Sequence, residues 1–319
     1  MRTARLFGFV GLAGLLSACG GMSEEAEAYL TEAIGLMRAR ALTRAQVDWD
    51  EVDDEIDRLA SDAQTISDTY PAISRALTLL GTNHSLLLSP TGEVITYPSN
   101  AVCQQDVNFV LPSEEGIGYV RVRGFTPDSD SDSAGFARRI QERIAGQDSE
   151  DIDSWIVDLR DNTGGNMWPM IAGLGPFFDS TLLGHFVDAS GDATPWGYRN
   201  GRSTLDGQTM VQVTRAHRLL NPAPRIAVLS SQRVASSGEA TLLAFKKQSN
   251  VRIFGSNSCG LSTANSGYTL RDGSTLLLTT AITADREQEG DGGPVQVDDE
   301  TSPGTTLRAA IQWLQEPRD

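Results

Sequence analysis

The segments SWIVDLR (154–160), RIAVLSS (225–231) and VRIFG (251–255) are short apolar runs that lack the polar alternation of a strand with one wet face. A strand apolar on both faces has to be covered on both, which restricts it to a mostly parallel sheet with helices packed over it. Between these runs, residues 134–146, MWPMIAGLGPFF (167–178) and residues 236–249 read as helices, the second in spite of Pro169, and GIGYVRVRGF (116–125) adds a strand in front. The alternation predicts an α/β domain around a mostly parallel sheet. Behind it, GYTLRDGSTLLLTTAIT (267–283) reads as an antiparallel hairpin turning at Asp272-Gly273, and GTTLRAAIQWLQ (304–315) as a closing helix.

The stretch before this alternation has a different period. SEEAEAYLTEAIGLMRARAL (23–42) and DWDEVDDEIDRLASDAQTI (48–66) carry apolar residues at helical spacing, and YPAISRALTLLG (70–81) adds a third helix that stops at Gly81. HSLLLSPTGEVITYPS (84–99) then has the form of a hairpin around Thr91-Gly92. The expected organisation is a leader over residues 1–18, a helical N-terminal cap over 19–83 and the core domain over 84–319.

The leader, MRTARLFGFVGLAGLLSACGG, has a basic start at Arg2 and Arg5 and an apolar run too short to span a bilayer core of ~30 Å. Its end, Leu16-Ser17-Ala18-Cys19, resembles the lipobox of bacterial lipoproteins, which implies lipid attachment at Cys19. The expected location is the bacterial cell envelope, as a periplasmic or surface lipoprotein anchored to the outer membrane. Cys103 and Cys259 are then an even pair in an oxidising compartment, free to form a disulfide or to remain buried thiols. The net charge is −16, and −18 without Arg2 and Arg5, which excludes nucleic acid as a natural partner and suits a neutral or cationic one.

Chemistry concentrates at RVASSGEATLLAFKKQ (233–248), where two serines stand between a strand and a helix. Unpaired N–H groups and a positive helix end favour an oxyanion there, yet Ser236 or Ser237 as a plain N-cap, closed into a capping box by Glu239, is the simpler reading by spacing alone. A serine nucleophile needs a base. The chain has two lysines, Lys246 and Lys247, expected on the same helix about 15 Å beyond Ser236 at ~1.5 Å per residue, so a Ser/Lys dyad is excluded. No Gly-x-Ser-x-Gly elbow occurs. Of the three histidines, His185 falls within an expected strand and His217 beside a charged stretch, whereas His84 sits in a loop between a helix stop and a strand. In DLRDNTGGNMWPM (158–170), Gly164-Gly165 would let backbone N–H groups approach a ligand, or would simply turn the chain. No metal-ligand spacing or cofactor motif is present, and the acidic run 128–133 reads as a solvated loop.

In order, GIGYVRVRGF, WIVDLRDNTGGN, IAVLSSQRVASSGEATLLAFKKQSNVRIFGS and GLSTANSGYTLRDGSTLLLTTAITADR resemble the C-terminal processing, or tail-specific, serine peptidases. The resemblance implies a crotonase-like (ClpP-like) core and a nucleophile three residues before a glutamate, which maps onto Ser236 and Glu239. It implies oxyanion donors at Ser237 and at Gly164 or Gly165. Two departures matter. GSNSCGLSTAN (255–265) carries Leu261 where such enzymes have their lysine, and no insertion of PDZ length lies between residues 98 and 116. Both match a PDZ-less subgroup that includes the nisin resistance protein and uses a Ser/His dyad, which maps the base onto His84, although Thr82-Asn83-His84-Ser85 replaces the usual Asp-Gly-His-Ser. The implied activity is hydrolysis of a peptide or protein substrate without a cofactor. A non-catalytic binder of peptides or apolar ligands on the same fold is the competing expectation, and clipping of a cationic, lantibiotic-like peptide is a narrower one.

Overall fold

The computed structural model describes residues 21–107, 109–126 and 130–317. Cys19 and the leader lie outside these residues, as does part of the acidic run 128–133.

Three helices come first: α1 (Glu24–Arg40), α2 (Trp49–Ala60) and α3 (Tyr70–Leu79). Ser23 and Asp48 accept N–H groups of the opening turns of the first two, and Gly81 at φ +68° follows the third. Their apolar faces meet around Tyr29, Met37, Ile73 and Leu77, and the same cluster takes in Leu87, Leu276 and Leu278 from the sheet beneath. The helices are thus seated on the core by burial.

The hairpin β1 (Leu86–Leu88) and β2 (Val94–Thr96) is followed by β3 (Ile117–Arg121), α4 (Asp130–Ala145), β4 (Ser154–Asp158) and α5 (Met167–Leu174). A meander then forms from β5 (Leu182–Asp188), β6 (Ala193–Arg199), β7 (Arg202–Leu205) and β8 (Gln208–Gln212). The chain continues with β9 (Arg225–Ser230), α6 (Ser237–Leu243), β10 (Val251–Gly255), β11 (Thr263–Thr269), β12 (Thr275–Asp285), β13 (Asp299–Glu300) and α7 (Thr306–Gln315).

The expected parallel sheet exists as five strands in the order β13-β10-β9-β4-β3, every neighbouring pair parallel. Its apolar runs are explained by two-sided cover. Trp155, Val157, Ile226 and Val228 pack against residues of α4, α5 and α6, while Ile156, Ala227 and Leu229 face Ala310, Ile311 and Leu314 of α7.

A mostly parallel core is nevertheless only half of the architecture. Eight strands form a second, antiparallel sheet, β2-β1-β12-β5-β6-β7-β8 with β11 also on β12. The expected strand around His185 is β5, whereas β6 to β8 carry little strand signal because they mix polar residues, Gly197 and Pro195 with few apolar ones. Their turns did carry a signal: Asn200-Gly201 (φ +49° and +84°) and Asp206-Gly207 (φ +46° and +74°) are two-residue hairpin turns with both residues left-handed.

The helix after Ser236 is also shorter than its pattern suggested. Beyond Leu243, the Phe245 and Lys246 N–H groups donate to carbonyls three residues back and Lys247 adopts φ +64°. Lys246 and Lys247 therefore lie past α6, where they pair with Asp298 and with Glu287 and Glu289.

Between β2 and β3 the described chain has no regular element and is held by side chains. Cys103 and Cys259 are bridged, and Gln105 donates to the Ser256 hydroxyl (2.9 Å) and accepts the Gln232 N–H (3.0 Å). Because the bridge closes 156 residues, loop-closure entropy makes it worth about 5 kcal/mol. Urea titration of oxidised and reduced protein should show a loss of that order with the folded far-UV spectrum retained in buffer; coincident curves would contradict the role given to the bridge.

Candidate active site

The chain leaves the parallel sheet at Ser230 and turns through residues 231–235 before α6 begins. Ser236, at the corner, has φ +55° and ψ −121°, a conformation that residues with a Cβ avoid unless their surroundings impose it. The surroundings here are hydrogen bonds: the Ser236 N–H donates to Glu239 Oε2 (2.7 Å), and the Glu239 N–H donates back to the Ser236 carbonyl (2.8 Å). Ser236 is thus the N-cap of α6, closed into a capping box by Glu239, and the same strained strand-to-helix corner places it on the wall of a cavity, although no Gly-x-Ser-x-Gly marks it.

Against this corner lies the turn that follows β4. Asn162 is fully buried; its Oδ1 accepts the Gly164 N–H (3.1 Å) and its carbonyl accepts the Ala235 N–H (3.1 Å), which joins the two turns. Both glycines are required. At Gly164 (φ +97°) a Cβ would come within 2.7 Å of the Ala235 carbonyl oxygen, and at Gly165 (φ +106°) within 2.1 Å of that of Phe125. The Ser237 hydroxyl donates to the Gly165 carbonyl (2.6 Å), so the second serine anchors the glycine turn. Gly164 has its N–H engaged by Asn162, whereas the Gly165 and Ser237 N–H groups have no acceptor among the hydrogen bonds of the described residues.

His84 enters from the other sheet, in the turn between α3 and β1. It is 9% exposed, its carbonyl accepts the Asn265 amide (2.8 Å), and the adjoining Ser85 hydroxyl accepts the Thr279 N–H (3.0 Å). Its Nδ1 lies 2.8 Å from the Thr263 hydroxyl at the start of β11. Burial drives the imidazole pKa down to about 4, so the ring is neutral near pH 7. Thr263 is the site residue that sequence reasoning missed.

Ser236, Ser237, Gly165, His84 and Thr263 line one cavity of about 690 Å³, in which His84 is the one titratable side chain among the described residues; Met167, Trp168 and Phe186 give it an apolar wall. The other histidines are elsewhere. His185 Nδ1 is 3.2 Å from the Asp285 carbonyl oxygen within the antiparallel sheet, and His217 pairs with Asp148 at 2.8 Å. Neither lysine lines the cavity. No described helix is long and apolar enough to cross a membrane, and the described residues hold no group of three His, Cys, Asp or Glu placed for a metal.

Comparison with known proteins shows the family. The model of peptidase family S41 matches residues 116–296. The nisin-resistance protein of Lactococcus lactis subsp. lactis is 28% identical over 291 residues, covering 90% of this chain and 86% of that protein. The carboxy-terminal processing protease CtpA of Bacillus subtilis (strain 168) is 25% identical over 176 residues; the match spans 54% of this chain and 33% of that longer protein. Among solved structures, a lipoprotein from Streptococcus agalactiae superposes with a TM-score of 0.72 at 21% identity, covering 92% of this chain and 97% of the other. The family model spans β3, β4, β9 and β10 of the parallel sheet, the glycine turn and the Ser236 corner together, and on that match the chain belongs to peptidase family S41.

Proposed function

We propose that the protein is a serine peptidase in which Ser236 is the nucleophile and His84 the base. The observation that carries this reading is the pairing, on the walls of one cavity, of a serine held in a strained backbone conformation with a buried neutral imidazole. With Nδ1–H donated to the Thr263 hydroxyl, Nε2 keeps its lone pair and accepts the Ser236 proton as the oxygen attacks the substrate carbonyl. The Gly165 and Ser237 N–H groups receive the developing oxyanion, while Gly164 shapes the turn. The imidazolium then returns its proton to the departing amine, and water, deprotonated by the same ring, releases the acyl group from Ser236.

Thr263 holds the tautomer, so Thr263→Val should lower kcat by about 10- to 100-fold with little change in KM. Steady-state kinetics on any peptide the wild type accepts would check it, and an unchanged kcat would remove Thr263 from the mechanism.

The five-stranded parallel sheet with helices on both faces supports a crotonase-like core. Lipidation at Cys19 and residence in the cell envelope are supported by the leader, by the disulfide and by the lipoprotein from Streptococcus agalactiae that shares the fold. The nisin-resistance relative and the net charge of −16 support a cationic peptide as substrate, attracted at long range because no carboxylate lines the cavity itself.

The apolar wall of Met167, Trp168 and Phe186 favours a second reading, a binder of peptides or apolar ligands without turnover. A fluorophosphonate probe separates the two: the peptidase is labelled, and a pure binder is not.

A further inference from the structure

One buried carboxylate touches both halves of the site. Glu239 is fully buried on α6, one turn beyond Ser236. Its Oε2 accepts the N–H groups of Ser236 (2.7 Å) and Leu261 (2.9 Å), and its Oε1 accepts the Ser258 hydroxyl (2.6 Å) and the Gly260 N–H (2.8 Å). The Ser258 oxygen is itself fixed by the Val295 N–H at 2.7 Å. These partners are all neutral donors. A carboxylate buried among such donors is held in place by hydrogen bonding to its ionised form, and it gives those donors their only common acceptor.

The consequence follows from where the donors belong. Ser236 is the residue at φ +55°. Ser258, Gly260 and Leu261 form the loop that leads directly into Thr263, the partner of His84 Nδ1. Cys259, in the middle of that loop, is bridged to Cys103 and donates its N–H to the Val234 carbonyl (2.8 Å), just ahead of the nucleophile.

We infer that Glu239 is a positioning residue for the reaction proposed above, its carboxylate fixing the Ser236 backbone and the 258–261 loop in one frame so that nucleophile and base keep their register. The inference rests on the serine-peptidase reading.

A pH signature accompanies the geometry. Burial pushes Glu239 up to about 7, against the pull of its hydrogen bonds, while His84 stays near 4. The groups facing Glu239 introduce no competing titration near 7: α6 has no other ionisable residue, α5 has none, and the 258–261 loop has only the bridged Cys259. On β12 Asp285 faces Lys247, and across the cavity stands His84. As pH falls through 7 the carboxyl gains a proton, its O–H confronts N–H donors and the frame loosens; His84, neutral down to about 4, cannot produce a change at that pH.

The test is inactivation by a fluorophosphonate, measured as kinact and KI between about pH 5 and 8 for the wild type, Glu239→Gln and Ser258→Ala. The wild type should show an acid limb near pH 7. Glu239→Gln should keep KI within about threefold, lose about 100-fold in kinact and show no limb, because a displacement of the order of an ångström costs that much. Ser258→Ala, which removes one of the hydrogen bonds that lower the Glu239 pKa, should move the limb upward, and it serves even if Glu239→Gln fails to fold. A folded Glu239→Gln labelled at the wild-type rate, or a Ser258→Ala limb that stays in place, would overturn the inference and leave the peptidase reading intact. A wild type that is not labelled at all would remove both.

Discussion

Ser236→Ala is expected to lower kcat by at least about 10⁴-fold on any peptide the wild type cleaves, the scale seen when a serine nucleophile is deleted. No neighbour can take over. Ser237, next along, has its hydroxyl directed to the Gly165 carbonyl at 2.6 Å and belongs to the first turn of α6. Losing one oxygen should leave the fold alone, because the Ser236 conformation is imposed through its N–H and carbonyl, both bonded to Glu239. The variant should therefore match the wild type in circular dichroism and thermal midpoint. Substantial residual turnover in a purified, folded variant would mean that another residue attacks the substrate.

His84→Ala should cost about 10³- to 10⁴-fold in kcat, because the remaining groups then act without a base. Among the described residues no other titratable side chain lines the cavity, and Lys246 and Lys247 are committed to acidic partners beyond α6. Added imidazole should restore part of the rate by occupying the vacated space, which separates loss of a base from loss of structure. The same ring has a stability signature with a definite sign. Its pKa falls from 6.5 in the unfolded chain to about 4 in the fold, so the unfolded state binds the extra proton between those values. Wild-type stability should consequently decline as pH drops from about 6.5 towards 4, and His84→Ala should lack that component. Full activity in His84→Ala would assign the base elsewhere.

How much of this was legible depended on how local each signal was. The strands β4 and β9 were readable because two-sided burial writes a continuous apolar run into each of them, and β3 and β10 by their Ile, Val, Tyr and Phe residues. The three N-terminal helices were readable for the same kind of reason, with Gly81 as a stop. The strands β6 to β8 escaped because they carry Thr, Gly, Pro and Arg in place of an apolar pattern, although Asn200-Gly201 and Asp206-Gly207 did mark their turns. The length of α6 was overread because the apolar spacing runs on past Leu243 while the backbone tightens and turns at Lys247.

Within the site, Ser236, Glu239 and the glycine pair sit in short motifs, so local spacing and the family resemblance could single them out. Thr263 could not be found that way. It is 179 residues from His84 and acquires its place only when β11 and the turn before β1 are brought together on β12. The pairing of Cys103 with Cys259 was equally open until the fold set their Cα atoms 5.0 Å apart.

The central claim, that Ser236 is a nucleophile activated by His84, is tested most directly by a fluorophosphonate adduct located by mass spectrometry of the digested protein. The account predicts one adduct, on the peptide containing Ser236, lost in Ser236→Ala and strongly slowed in His84→Ala. An adduct on a different residue, or labelling of His84→Ala at the wild-type rate, would contradict it.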